Sequence, residues 1–113
     1  MSAVIYHNPR CSKSRATLDL LRQRGVKTVV IEYLKTPPTA AELRRLLGQL
    51  GLKAKDLIRT NEEEYKAIKD LHLDEDGLIA AMVKHPKLIQ RPIVVANNRA
   101  ALGRPPENVL NIL

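Results

Sequence analysis

The chain has 113 residues, of which 44% are hydrophobic and 27% charged, so its composition is that of one folded domain and excludes a disordered or coiled-coil protein. It carries 19 basic and 12 acidic residues, a formal net charge of +7 that favours an anionic partner. The sequence has no Phe, no Trp and three Tyr. Because RNA and single-strand binders stack bases on aromatic side chains, we expect no direct nucleic-acid binding and favour a small anion.

The sequence predicts neither a membrane segment nor a secretion signal. Apolar runs last only a few residues, and the first six residues lack the basic and long apolar regions of a signal peptide. Cys11 is the only cysteine, which excludes an internal disulfide and a cysteine-rich zinc site. We expect a cytoplasmic protein in which any redox reaction at Cys11 needs a thiol from another molecule.

The first third of the chain predicts a strand, a helix and a second strand. Residues 3–6 form an apolar run that ends before Asn8-Pro9, where proline interrupts strand pairing. Residues 11–24 carry apolar side chains near helical spacing. Residues 26–33 then contain the β-branched cluster 29–31, which suits a central strand. Together they predict a right-handed βαβ unit with parallel strands.

The middle third is predicted to be wholly helical. Thr39 and Glu42 have the spacing of a capping box, which predicts a helix that runs to Gly51. Helix-forming composition follows over residues 54–59, 62–69 and 75–85.

The last third predicts two strands and a helix. A strand is expected over 92–95, a turn at Asn97-Asn98, a returning antiparallel strand over 99–102 and a last helix over 106–112. The fold class is therefore α/β, in the order βαβ, helices, ββα, with a mixed sheet and helices packed on it.

Cys11 is the candidate nucleophile. It follows a proline-containing turn at the predicted start of a helix, where unpaired N–H groups and the helix dipole favour a thiolate. The basic or titratable neighbours in sequence, which also lower a cysteine pKa, are His7, Arg10, Lys13 and Arg15. A buried structural cysteine is the alternative, which these polar neighbours disfavour.

Ser14 gives the motif Cys-x-x-Ser, in which a hydroxyl replaces the second thiol of a thioredoxin-type Cys-x-x-Cys. That hydroxyl can only exchange hydrogen bonds, and a purely structural role in the first helical turn is equally open for it. The convergent N–H groups of the helix start also suit a tetrahedral oxyanion beside the thiol.

Three segments resemble the glutaredoxin-dependent arsenate reductases, which are related to the Spx family. They read YHNPRCSKSR at 6–15, YLKTPPT at 33–39 and HPKLIQRPIVV at 85–95, in the family's order. The resemblance implies a thioredoxin-like fold with a mixed four-stranded sheet. It also implies that residues 1–113 form one domain with a helical insertion at about 35–89.

The resemblance further assigns roles to individual residues. Cys11 matches the nucleophile that attacks arsenate, His7 a histidine that helps to lower its pKa, and Ser14 a serine that hydrogen-bonds the sulfur. The oxyanion is held by three arginines, which fall on Arg59, Arg91 and Arg104, and Pro92 matches a cis-proline that faces the cysteine. Arginine suits this role because guanidinium is always charged and presents forked donors.

The implied function is the reduction of arsenate to arsenite, with glutathione as co-substrate and glutaredoxin as partner. We expect a monomer with no bound cofactor, no metal and no membrane contact. Cys-Ser-Lys-Ser in place of the family's Cys-Gly-Thr-Ser, and a chain that ends at Leu113, suggest a short-chain relative whose natural oxyanion can differ from arsenate.

Two other classes of protein are alternatives. One is an Spx-like regulator that binds RNA polymerase, which Ser14 disfavours because those proteins carry a second cysteine there. The other is a monothiol exchange protein, for which the anion-binding arginines have no purpose.

Overall fold

The computed structural model describes all 113 residues, Met1–Leu113. They form two compact units, one made of Met1–Thr36 with Arg91–Leu113 and the other of Pro37–Gln90. The second unit occupies the stretch in which the sequence predicts an insertion. None of the helices has the length and apolar character that spanning a bilayer requires.

The first unit is built on a four-stranded sheet. Its elements are β1 (Ser2–His7), α1 (Ser12–Gln23), β2 (Lys27–Glu32), β3 (Ile93–Ala96) and β4 (Arg99–Leu102). The strand order is β2-β1-β3-β4, with β1 parallel to β2 and antiparallel to β3, and β3 antiparallel to β4. The predicted mixed sheet and βαβ unit are therefore confirmed.

The core of this unit lies between the sheet and the helical segments that pack on it. β1 is a central strand, and its Ile5 is fully buried. Helical spacing in α1 brings Leu18 and Leu21 to the same buried side. These residues form one apolar cluster with Ala3, Val26, Val94, Ala96, Val109 and Ile112. The cluster fixes β1 and α1 against each other, and with them the loop that joins them.

Two predictions for this unit need correction. Residues 29–31 do not lie in a central strand, because β2 is an edge strand in which Val29 is 60% exposed and Val30 38% exposed. β-Branched residues suit a pleated surface at an edge as well as at the centre, so composition could not decide between them. The last helical segment, Pro106–Ile112, has the tighter 3₁₀ geometry that is frequent in short connecting pieces.

The β3–β4 hairpin is confirmed together with its turn. Asn97 and Asn98 have φ values of 54° and 60°. Two consecutive residues at positive φ are typical of the type I′ turn, whose twist matches that of the strands, and asparagine tolerates this backbone well.

The second unit is helical, as predicted. Its helices are α2 (Ala40–Leu50), α3 (Ala54–Leu57), α4 (Glu63–Lys66) and α5 (Glu75–Lys84), with 3₁₀ turns at Lys69–Leu71 and Pro86–Leu88. The capping box is present at the start of α2: Glu42 N–H donates to the Thr39 hydroxyl at 3.1 Å, and Thr39 N–H donates to the Glu42 carboxylate at 3.4 Å.

Two predicted helices of this unit are shorter than expected. The helix over 54–59 ends at Leu57, because Ile58 forms a β-bridge with Ile89. The helix over 62–69 is divided into α4 and a separate 3₁₀ turn. The buried side chains of the unit include Leu43, Leu46, Leu57, Met82 and Leu88.

Candidate active site

The loop between β1 and α1 positions Cys11 at the N-cap of α1, with φ −94° and ψ 123°. The Asn8 carbonyl accepts the Cys11 N–H at 3.0 Å, and the Asn8 side-chain oxygen accepts the Arg10 N–H at 3.0 Å. From the first turn of the helix, Arg15 Nη1 donates to the Pro9 carbonyl at 2.8 Å. The loop is thus fixed at both ends by hydrogen bonds, which holds the partly exposed thiol in one place.

The environment of Cys11 favours its thiolate. Partial burial opposes ionisation, but the Ser14 N–H, the Arg91 guanidinium and the Lys13 N–H hydrogen-bond the sulfur and lower the pKa of the thiol below its ordinary value. Two backbone donors come from the free N–H groups of the first helical turn, and the charge comes from the residue before Pro92. The thiol is therefore nucleophilic nearer to neutral pH than a free cysteine.

Ser14 and His7 form a buried polar pair behind the thiol. A hydrogen bond of 2.6 Å joins His7 Nδ1 to the Ser14 hydroxyl, which also accepts the Asn8 N–H at 3.0 Å. Ser14 is fully buried, and His7 and Asn8 are almost so. The hydroxyl of Ser14 thus ties the end of β1 to the first turn of α1, while its backbone N–H faces the sulfur of Cys11.

The surroundings of His7 favour its neutral form. Burial lowers the pKa of its imidazole below the ordinary value, Glu32 raises it, and Arg22 and Arg15 lower it further. Glu32 exerts its effect because it is the register partner of His7 in the parallel β1–β2 pair. The positive charge at the Cys11 sulfur therefore comes from Arg91 rather than from the predicted sequence neighbours His7, Arg10, Lys13 and Arg15.

Arg91 lies just before β3 and Arg104 just after β4, so the β3–β4 hairpin brings them together. Arg104 Nε donates to the main-chain carbonyl oxygen of Arg91 at 2.8 Å, so this contact holds the Arg104 guanidinium against the backbone of Arg91. Both residues precede a proline, and the Arg91–Pro92 and Arg104–Pro105 peptide bonds are cis. Arg91 and Arg104 are therefore the two predicted oxyanion-binding arginines that belong to the first unit.

Arg59, the third predicted arginine, belongs to the second unit. It follows α3, its N–H donates to the Leu88 carbonyl at 2.6 Å, and its Nε forms an ion pair of 3.2 Å with Glu62. The side chain is only 14% exposed. Its role in binding an oxyanion stays a prediction from the sequence.

Sequence reasoning missed three features of this site. It did not predict that Arg91 hydrogen-bonds the thiol, that the side chain of Asn8 orders the loop, or that Glu32 faces His7. The last could have been found from the predicted parallel pairing, because residues that end neighbouring parallel strands lie side by side. The contact of Arg91 depends on how β3 enters the sheet, for which the local sequence has no signal.

A mixed four-stranded sheet with a lone cysteine at the start of its first helix and a cis-proline just before β3 defines a thioredoxin-like protein of the single-cysteine type. The family model of the ArsC family matches residues 6–112. The chain therefore belongs to the ArsC family.

Similar proteins extend over nearly the same length. The chain is 56% identical to the uncharacterized protein YfgD of Escherichia coli (strain K12), over 96% of this chain and 94% of that one. It is 47% identical to an arsenate reductase of Neisseria meningitidis serogroup A, with 96% of each chain covered. The solved structure of an arsenate reductase from Vibrio cholerae matches with a TM-score of 0.96 and 55% identity, over 100% of this chain and 98% of that one.

Proposed function

We propose that this protein reduces arsenate to arsenite, with the Cys11 thiolate as nucleophile, glutathione as co-substrate and glutaredoxin as the final reductant. The observation that carries the proposal is the set of contacts at the Cys11 sulfur, where two helix-start N–H groups and the Arg91 guanidinium stabilise negative charge. Relatives named arsenate reductases support arsenate as the oxyanion.

The charge arrangement explains why an anionic substrate suits this thiolate. A thiolate and an oxyanion repel each other, and the attack is slow unless a positive group lies beside both. Arg91 already contacts the sulfur, and Arg104 is held to the backbone of Arg91 through Nε, which leaves its two terminal nitrogens as donors. Guanidinium groups bind tetrahedral oxyanions through paired donors, which orients the substrate as well as neutralising it.

The reaction then proceeds in four balanced steps. The Cys11 sulfur attacks arsenic(V) and one oxygen leaves as water, which forms an arsenate thioester. The thiol of glutathione displaces a second oxygen as water and gives an arsenic(V) centre that carries both sulfurs. A glutaredoxin thiolate attacks the glutathione sulfur, so that the electron pair of the sulfur–arsenic bond reduces arsenic to the trivalent state. Water finally hydrolyses the bond between the Cys11 sulfur and trivalent arsenic, which releases arsenite and restores the Cys11 thiol.

Two external thiols are required because the chain has no second cysteine. Each turnover delivers two electrons to arsenic, and these come from the two thiols that end as a mixed disulfide of glutaredoxin and glutathione. Ser14 cannot replace the missing thiol, since a hydroxyl forms no disulfide.

The test is arsenite formation by the purified protein with arsenate, glutathione and glutaredoxin, and with each component omitted in turn. We expect turnover only in the complete mixture. Arg91→Ala and Arg104→Ala should each lower kcat/KM for arsenate roughly ten- to a hundredfold, because each removes a charge-assisted contact. Arg45→Ala, at an exposed position of α2, is the matched control. Turnover without glutathione, or arginine variants no worse than the control, would contradict the proposal.

A further inference from the structure

A cavity of about 190 Å³ opens beside the cysteine loop, within the first unit. It lies at the carboxyl ends of the parallel strands β1 and β2, where α/β proteins usually bind ligands. Its lining includes His7, Asn8, Arg10, Glu32, Leu34 and Lys35. The reaction proposed above uses Cys11 and the arginines near it, and it assigns no role to this cavity.

The charged groups of the cavity have both signs. Glu32 supplies a carboxylate, while Arg10 and Lys35 supply cations. Lys35 Nζ lies 3.6 Å from the Glu32 carboxylate, with side chains that are 78% and 42% exposed. An exposed ion pair of this kind contributes little stability, so both groups are available to a ligand at small cost. A ligand that satisfies both charges carries an ammonium and a carboxylate, which is the head group of an α-amino acid.

The position of the cavity relative to Cys11 sets the length of such a ligand. Asn8, in the cavity wall, accepts the N–H of Cys11, so a single turn separates the two residues. The ends of a four-residue turn lie less than about 7 Å apart. An extended peptide covers about 3.3–3.6 Å per residue, so a ligand held by its amino-acid head reaches the thiol with a sulfur that is one to two residues further on. Free cysteine is too short, whereas a small peptide thiol has the required length.

We propose that this cavity binds the α-amino-acid end of the small peptide thiol that acts as co-substrate, with Glu32 facing its ammonium group and Lys35 and Arg10 its carboxylate. The inference rests on the proposed function only in that this function supplies a reason for a thiol to bind here. It deepens that function by naming the residues that select the reductant.

The test measures binding without any reaction, so its failure is distinguishable from a failure of arsenate reduction. S-methylglutathione, which has no free thiol, is titrated into the ¹⁵N-labelled protein, and the amide shifts are followed by NMR. We expect saturable shifts concentrated at residues 7–10 and 32–35. Glu32→Gln and Lys35→Gln should each weaken binding about tenfold, because each removes one charge-assisted contact.

The control variants are Glu63→Gln and Lys66→Gln, which remove a comparable exposed i,i+3 ion pair of 3.1 Å in the second unit. They should bind the probe like the wild type. A second probe is S-methylglutathione with its amino group acetylated. The wild type should bind this probe about tenfold more weakly than it binds S-methylglutathione. Glu32→Gln should bind the two probes equally well, because the partner of the amino group is already absent.

Three results would overturn the inference. One is the absence of saturable binding up to millimolar probe. Another is equal affinity of the Glu32 and Lys35 variants and the controls. The third is shifts at residues 7–10 and 32–35 with glutaredoxin but not with S-methylglutathione, which would assign the cavity to a protein partner.

Discussion

The Nε atom of Arg104 donates to the carbonyl oxygen of Arg91 at 2.8 Å, and the Arg91 side chain in turn hydrogen-bonds the sulfur of Cys11. The two arginines are 13 positions apart in sequence and are brought together by the β3–β4 hairpin. One contact therefore joins the backbone that carries the thiolate's counter-charge to a second guanidinium. Variants of Arg91 therefore remove the charge at the sulfur, whereas variants of Arg104 remove a contact that positions Arg91.

The first prediction concerns the ionisation of Cys11. Its rate of alkylation by iodoacetamide should rise with pH to a plateau. The midpoint of that rise should lie below the pKa of about 8.5 that is usual for a free cysteine. Arg91→Gln should move the midpoint to higher pH, because it removes a donor and a positive charge from the sulfur. Arg104→Ala should move it less, since Arg104 acts through the backbone of Arg91.

The control for these profiles is Arg24→Gln, at an exposed position after α1. It should have the wild-type midpoint. A wild-type midpoint at or above that of free cysteine, or an Arg91→Gln profile that coincides with the wild type, would contradict the activated thiolate.

The second prediction concerns stability in mild acid. Burial lowers the pKa of His7 in the folded state, so between that pKa and about 6.5 the unfolded chain binds more protons than the folded one. The free energy of unfolding should therefore fall as the pH decreases from 7 through this range. His7→Asn, which keeps a hydrogen-bonding group near Ser14, should flatten this part of the curve.

Urea unfolding at several pH values between 5 and 7.5 measures the effect. The control variant is His72→Asn, which replaces an exposed histidine. If His7→Asn and His72→Asn have the same slope as the wild type, the stability loss in acid does not come from His7.

The third prediction uses two glycines with opposite surroundings. A Cβ on Gly103 would collide with Thr17 Oγ1 and would lie 2.7 Å from Pro92 Cγ, so Gly103→Ala should destabilise by roughly 1–3 kcal/mol and disturb the packing of α1 on Pro92. Gly48 lies inside α2 with open space at its Cβ position. Gly48→Ala should stabilise by about 0.5–1 kcal/mol, because alanine loses less entropy in a helix.

Thermal unfolding of both variants provides the measurement, and the sign of each change is the result that matters. A Gly103→Ala variant as stable as the wild type would show that the segments around Pro92 can separate without cost. In that case the close approach of Gly103 does not fix the position of Pro92.

The fourth prediction concerns the buried hydroxyl behind the thiol. Ser14→Ala leaves His7 Nδ1 and the Asn8 N–H without their partner, so it should destabilise by about 1–3 kcal/mol. Ser12→Ala, at an exposed position in the same helical turn, should cost much less. Equal losses for the two variants, measured by urea unfolding, would mean that the Ser14 hydroxyl contributes no more than an ordinary surface group.

The elements of the fold that depend on local pattern could be predicted from the sequence. Helical spacing predicted α1, the pair Thr39 and Glu42 predicted the start of α2, and Asn97-Asn98 predicted the hairpin turn, because each of these depends on neighbouring residues. The position of β2 at the edge of the sheet could not be predicted in this way, since strand order is decided by tertiary pairing.

The candidate site also has features that follow from the local sequence and features that depend on tertiary pairing. Cys11 and the helix start are neighbours in sequence, and their chemistry follows from that neighbourhood. The counter-charge does not: the residues next to Cys11 in sequence include Arg10 and Lys13, but the side chain that hydrogen-bonds the sulfur is Arg91, 80 positions later. Which of 19 basic side chains reaches the thiol is decided by the pairing of β1 with β3.

The most direct measurement of the proposed chemistry is the rate at which Cys11→Ser forms arsenite in the complete mixture of arsenate, glutathione and glutaredoxin. The serine hydroxyl stays protonated near neutral pH and is a far weaker nucleophile than a thiolate, so the variant should show no turnover above the protein-free mixture. Its circular dichroism spectrum and unfolding midpoint should match those of the wild type, since only one atom changes. Arsenite formation by folded Cys11→Ser at more than a trace of the wild-type rate would contradict the assignment of Cys11 as the nucleophile.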